Sequence, residues 1–281
     1  CVFLAAFLIC WSPVHAQDFA DLLEPLAEPW LSSEESRTES DDEPLETDRD
    51  SFTPSTTTVG LNRTIFETSY SFIENRDVAN SHSFPEIITR YGLTERVELR
   101  VGWNFETGGG GEVSGGDAGA ELDSHGSIQE SQILYGLKAQ LTDQEGWIPQ
   151  SSVIIQGTTP TAGPESASDF QLGYVSGWRI LDNWQLDSAI RYGTTTEAGD
   201  HFNQWAPSVV LKIPVGERWN LHGEYFGIMT DGKVNERNPQ YLSPGIHYLL
   251  GPNFEVGVRT GWGLNHDASR FFTNVGLGIR F

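Results

Sequence analysis

Phe271 to Phe281 reads FFTNVGLGIRF. Val275, Leu277, Ile279 and Phe281 fall on one side of an extended strand, and Asn274, Gly276, Gly278 and Arg280 fall on the other. Side chains alternate with period two along a strand, so one face here is apolar and the other is polar or bare backbone. Such a strand suits the wall of a membrane β-barrel and equally the edge of a soluble sandwich, so the decision passes to the rest of the chain.

Working back from this stretch, the same alternation recurs. Phe66, Thr68, Tyr70 and Phe72 alternate with Glu67, Ser69 and Ser71, and Val97, Leu99, Val101, Trp103 and Phe105 with Glu98, Arg100, Gly102 and Asn104. Phe170, Leu172, Tyr174, Trp178 and Ile180 alternate with Asp169, Gln171, Gly173, Gly177 and Arg179; Trp184, Leu186, Ile190 and Tyr192 alternate with Gln185, Asp187, Ala189 and Arg191. Trp219, Leu221 and Tyr225 alternate with Asn220, His222 and Glu224, and Phe254, Val256, Val258 and Trp262 with Glu255, Gly257, Arg259 and Gly261. Weaker runs at 83–92, 128–141, 150–159, 203–213 and 240–250 bring the expected total to about twelve strands, each near the ~9–11 residues that span a bilayer when tilted.

The links between the runs are of two kinds. Residues 93–96, 181–183, 214–218 and 251–253 are tight turns, and 142–149 is slightly longer. Between them lie longer links at 74–82, 106–127, 160–168, 194–202, 230–239 and 264–270, rich in Gly, Asp, Asn, Glu, Ser and Thr. Strict alternation of short and long links predicts an up-and-down antiparallel meander with two unlike ends, the pattern of outer-membrane barrels. Closing it into a barrel removes the exposed edges an open sheet of this size would present.

Face chemistry then distinguishes a soluble barrel, apolar inside, from a membrane barrel, apolar outside. We expect the membrane arrangement, an all-β, closed, transmembrane barrel. Its lumen would be lined by Glu67, Glu98, Arg100, Asp169, Arg179, Asp187, Arg191, His222, Glu224, Arg259 and Arg280. Its lipid face would carry Val97, Leu99, Val101, Leu172, Leu186, Ile190, Leu221, Val256, Val258, Val275, Leu277 and Ile279. Trp103, Trp178, Trp184, Trp219, Trp262, Tyr91, Tyr192 and Tyr248 sit near strand ends, where interface girdles form. The 30 glycines and 32 aromatic residues fit many short strands and tight turns, and a single Met argues against a helical bundle.

The first part of the chain differs. Residues 1–16 contain a short apolar run ending in Val14-His15-Ala16, which reads as an export signal cleaved before Gln17. Cys1 and Cys10 both lie within it, leaving no cysteine for a disulfide, nucleophile or metal site in the mature chain. Residues 18–50 hold 13 acidic and two basic residues, a net charge of −11 out of −22 overall. So little apolar content cannot offset the ordering entropy, and we expect a disordered acidic segment over 17–53 followed by the barrel over 54–281. The acidic balance excludes a nucleic-acid binder, which needs a basic face to displace counterions from phosphate.

His82 to Trp103 (HSFPEIITRYGLTERVELRVGW), Glu67 to Phe72 (ETSYSF), Glu217 to Gly227 (ERWNLHGEYFG) and Gly263 to Phe281 (GLNHDASRFFTNVGLGIRF) resemble the family of transporter-like outer-membrane proteins named for the MetA pathway of phenol degradation. The resemblance spans Phe52 to Phe281 and is most specific at Arg90-Tyr91-Gly92-Leu93-Thr94 and Glu98-Leu99-Arg100. It implies residence in the cell outer membrane, among lipid, and uptake of small, aromatic or hydrophobic compounds through a narrow channel. In outer-membrane barrels a terminal aromatic, here Phe281, is part of what the barrel-assembly machinery reads. A barrel with a plugged lumen and a structural or surface role is the alternative, and an outer-membrane hydrolase a further one.

Catalytic and cofactor signals are weak. GxSxG and HExxH are both absent, and Ser81 and Ser83 flank His82 on the opposite strand face, so the three do not form a triad. His222 and Glu224 share a face and would make an ordinary lumen pair. The Gly-rich stretch 106–126 lacks the Lys-Ser or Lys-Thr of a phosphate loop, and the scattered His125, His201, His247 and His266 define no metal site. No catalytic residue, metal or cofactor is therefore expected.

Overall fold

Period-two runs rich in β-branched and aromatic residues form strands when neighbouring strands satisfy their backbone groups. The computed structural model describes residues 45–49, 51–109, 128–181, 183–197 and 199–281 and consists of strands β1 (Thr64–Glu74), β2 (Ser81–Gly92), β3 (Val97–Gly108), β4 (Ile128–Thr142), β5 (Gln150–Ala162), β6 (Asp169–Ile180), β7 (Trp184–Glu197), β8 (Asp200–Val215), β9 (Trp219–Gly227), β10 (Met229–Asp231), β11 (Gln240–Gly251), β12 (Phe254–Gly263) and β13 (Phe271–Arg280). All pairings are antiparallel, and from β1 to β9 and from β11 to β13 each strand pairs the next one in the chain. The ring closes where β1 pairs β13, from Ile65↔Arg280 to Glu74↔Phe271. Both β9 and β10 pair β8, so they are two parts of one wall strand interrupted at Ile228, and the barrel has twelve strands. The stretch FFTNVGLGIRF is thus held between β12 and β1 as the closing strand.

Short turns gather at one end of the barrel and longer links at the other. One expected long link is shorter than its composition suggested. β7 and β8 stay paired up to Glu197↔Asp200, so most of 194–202 is strand, in keeping with the β-branched run Thr194-Thr195-Thr196.

Burial follows the pleat. In β1 the buried residues are Ile65, Glu67, Ser69, Ser71 and Ile73, while Phe66, Thr68, Tyr70 and Phe72 lie on the more exposed side. Val101, Leu172, Ile190, Leu221, Val258 and Val275 are 40–47% exposed, whereas Arg90, Arg100, Glu67 and Glu98 are at most 1% exposed. A soluble protein shows the reverse. Aromatic pairs built on an exposed Trp mark both ends: Trp219 with Tyr248 near the short turns, and Trp262 with Phe271 near the long links.

The buried side is not empty. Residues 45–49 lead from the short-turn end into the barrel, the apex lies near Phe52, and residues 51–60 return to β1. The two limbs are tied by Thr57 Oγ1 donating to Glu46 (2.9 Å) and by Ser55 donating to Asp48 from its hydroxyl (2.7 Å) and backbone N–H (3.0 Å). Leu45, Val59 and Ile65, with Leu249 against them, close the base of this loop. Here the expectation of disorder through residue 53 is corrected: residues 45, 47–49 and 51–53 are buried. Composition judged the segment alone, whereas its carboxylates find basic partners on the barrel wall. Residues 1–16, with the expected export signal, and most of the acidic segment lie outside the described residues.

Candidate functional site

The site is the junction of the inner loop 45–60 with the barrel wall. At its lower level the wall supplies charge. Asp48 is paired with Arg100, with Arg90 (3.5 Å) and with Lys138 (3.6 Å). Glu98 bridges Arg90 (2.9 Å) and Arg100 (2.9 Å), and Arg90 also reaches Glu67 (3.3 Å). Glu67 accepts the backbone N–H groups of Asp48 (2.9 Å) and Arg49 (3.0 Å), and Glu98 accepts that of Val59 (3.0 Å). Across the lumen, Lys212 donates to Glu46 (2.7 Å) and lies 3.8 Å from Asp187. Arg49 pairs with Glu86 (3.3 Å), and Thr47 donates to Glu255 (2.9 Å). Each of these charges would be costly unpaired, so loop and wall are mutually required in this conformation.

Bare backbone makes room for the loop. A Cβ on Gly278 would stand 2.3 Å from Thr47 Cγ2, and one on Gly177 would stand 1.9 Å from Asp187 Oδ1 and 3.0 Å from Thr56 Cγ2. Gly177 of β6 and Gly278 of β13 are therefore spaces that the loop and its partners fill. Gly278→Val is expected to displace the first limb while leaving the wall pairing intact, and so to raise the rate at which protease cuts within 45–59. An unchanged cleavage rate would contradict this packing.

Near the apex the chemistry turns aromatic. Phe52, Phe226, Tyr241, Phe272, Ile73, Ala206, Ile228 and Ala268 form one buried cluster towards the long-link end. Phe52 stacks on Phe226, with centroids 4.1 Å apart and planes 16° from parallel. Glu224 accepts the backbone N–H of Phe52 (2.9 Å) and of Thr53 (2.6 Å) and is paired with Arg259 (3.2 Å). The Thr53 hydroxyl lies 2.9 Å from that of Ser208.

Of the expected lumen residues, Glu67, Glu98, Arg100, Asp187, Arg191, His222, Glu224 and Arg259 are buried, and Glu67, Glu98, Arg100, Arg191, Glu224 and Arg259 converge on the loop or on its direct partners. Asp169 is half-buried near the long-link rim, where it accepts from Thr195 (2.7 Å). Two do not line the lumen. Arg179 is exposed at the short-turn rim, its backbone bonded to Gln144, because β6 ends one residue later. Arg280 reaches out to the adjacent turn, donating to Asn253 Oδ1 (2.9 Å) and the Pro252 carbonyl (3.1 Å). The expected His222–Glu224 pair is also replaced: His222 Nδ1 lies 2.8 Å from His247 Nε2, in a buried imidazole pair, and Glu224 serves the loop. His247 lies on strand β11.

Sequence reading missed Arg90, Lys138, Lys212 and Glu86 because the weaker runs around them were not sorted by face. Extending the period from β1 and β3 through the short turn at 93–96 would have placed Arg90 with Glu98. Asp48 and Arg49 were set aside with the acidic segment. His82 is exposed while Ser81 and Ser83 are buried, so these three do not meet. Among the described residues no group of three His, Cys, Asp or Glu is arranged to hold a metal. The Gly-rich stretch 106–126 is described only as far as residue 109, and its remainder, with the carboxylates of Asp117, Glu121 and Asp123, falls outside the described residues.

A closed barrel with an apolar exterior and a charged interior defines an outer-membrane type of β-barrel. The chain belongs to the family described as "Putative MetA-pathway of phenol degradation", whose model matches residues 47–281. That match takes in the inner loop as well as the wall. In fold the chain is similar to an outer membrane channel from Pseudomonas putida F1, at 10% identity and a TM-score of 0.57, over 81% of this chain and 98% of that one. It is also similar to the NanC porin, at 9% identity and a TM-score of 0.50, over 76% of this chain and 98% of that one. No curated protein matches in sequence.

Proposed function

We propose that this protein is an outer-membrane channel for small solutes whose own inner loop closes it at rest. One observation carries the reading: residues 45–60 are held in the lumen by ion pairs and hydrogen bonds to the wall, with no covalent tie among them. A lumen lined by paired charges becomes a wetted path once the loop withdraws. The two fold neighbours, a channel and a porin, are in keeping with it. Planar-bilayer recordings with residues 45–53 present and absent test the reading.

Export through a cleaved signal over residues 1–16 and recognition of the terminal strand, Phe281 included, by the barrel-assembly machinery complete the proposal. It includes neither catalysis, a cofactor nor a nucleic-acid partner. Lipid is the partner of the apolar exterior, with Val97, Leu99, Leu186, Val256, Leu277 and Ile279 beside the more exposed side chains named above. Ile190→Lys, in the middle of β7, is then expected to cost about 2–4 kcal/mol of folding free energy in vesicles. Denaturant titration of folding in lipid measures it, and a cost near zero would contradict a lipid-facing Ile190. A second reading, a permanently plugged structural barrel, is favoured by the near-complete burial of Arg90, Arg100 and Lys138. Recordings that stay silent after the deletion would support it.

A further inference from the structure

The apex of the inner loop fills a site whose shape and chemistry are those of a small-molecule pocket. The Phe52 ring is fully buried. Phe226 stacks on it at 4.1 Å, and the Arg191 guanidinium carbon stands 3.9 Å from its centroid. Two groups this close to one centroid would overlap on a single face, so the ring is held between them. Aromatic stacking on one side and a cation on the other select a planar π-system over an aliphatic ring of equal volume. The polar groups around Phe52 are equally matched. Arg191 Nη2 donates to its carbonyl at 3.0 Å, and Glu224 Oε2 accepts its N–H at 2.9 Å. Every one of these wall groups belongs to β7 or β9, so the pocket persists when the loop leaves.

We infer that the wall slot formed by Phe226, Arg191 and Glu224 is a binding site for a planar aromatic solute bearing a neutral amide-like group, and that Phe52 is its tethered occupant. The ring fills the gap between Phe226 and Arg191, an acceptor oxygen meets Arg191, and a donor N–H meets Glu224. A free solute of this class and Phe52 cannot occupy the slot together, so binding favours withdrawal of the loop. This inference rests on the channel reading for its consequence, opening, but not for the site itself.

Benzamide is the probe and cyclohexanecarboxamide the control. The full chain carrying Phe52→Ala, folded in detergent and checked by heat-modifiable gel migration, is titrated calorimetrically. It is expected to bind benzamide at least about tenfold more tightly than the unsubstituted protein, because in the latter the competent state is a minor population. Adding Phe226→Ala or Arg191→Ala should abolish the binding. Equal binding of benzamide and cyclohexanecarboxamide, or none of either by folded Phe52→Ala, would overturn the site. Should Phe52→Ala fail to fold, Ser51→Cys provides a second readout: Ser51 is fully buried, and benzamide should accelerate its labelling by maleimide while the control does not. Equal labelling rates would likewise overturn it. Benzamide binding without any rise in conductance would leave the site standing and refute the channel. Conductance on deleting 45–53 without benzamide binding would do the opposite.

Discussion

Deletion of residues 45–53 is expected to convert a nearly silent barrel into one that conducts ions severalfold more strongly in planar bilayers. The wall should survive the loss, because its strands are paired to one another around the whole ring and none relies on the loop for a partner. What changes is the lumen. Arg90, Arg100, Lys138, Glu67 and Glu98 line it at one level and are shielded from water at present by the loop they hold. Once the loop is removed they hydrate, and a twelve-strand barrel is wide enough to leave a path that an eight-strand barrel fills with its own side chains. Conductance equal to that of the intact chain would place the obstruction elsewhere.

Asp48→Asn is expected to have nearly as large an effect from a change of one atom. Asp48 is the carboxylate on which Arg90, Arg100 and Lys138 converge, and it also accepts from the Ser55 N–H and hydroxyl. In the closed conformation its neutralisation leaves three confined cations sharing Glu98 and Glu67. Removing one partner of a buried ion pair costs about 3–5 kcal/mol. In the open conformation the same cations are solvated and lose little. A differential of that size moves the closed-to-open ratio by a factor of about 10² to 5 × 10³. Open probability in single-channel recordings is the measurement, with Ser55→Ala as a milder control that keeps the charge. If Asp48→Asn and the unsubstituted protein open equally often, the ion-pair cluster does not hold the loop.

Much of this fold is legible in the residues. Period-two alternation located the wall strands, and the alternation of short and long links ordered them, because both are local consequences of pleat and hairpin geometry. Polar positions such as Glu67, Glu98 and Glu224 could be sorted to one face for the same reason. Arg179 and Arg280 share that face, yet they stand at strand ends, where a long side chain turns to the rim. The period gives a residue's side but not its height along the barrel. The inner loop was the least legible part. Asp48, Phe52 and Thr53 lie in a segment that lacks any period, and its order comes from Arg90, Arg100, Arg191, Ser208 and Glu224, which sit far along the chain from it. Only the closed ring brings them together, so no window of sequence contains the interaction. A segment rich in carboxylates preceding a barrel whose inner face carries several arginines and lysines is the signal that would have suggested it.

Thr53→Cys with Ser208→Cys would pin the inner loop to the wall. The two hydroxyl oxygens are 2.9 Å apart, one on the inner loop and one on strand β8, so sulfur atoms in their places need only a small shift to bond. A disulfide is expected to form spontaneously in outer membranes and to hold the barrel silent, and its reduction to restore the native frequency of opening. No cross-link in the folded protein, or identical currents before and after reduction, would contradict a loop that closes this barrel from within.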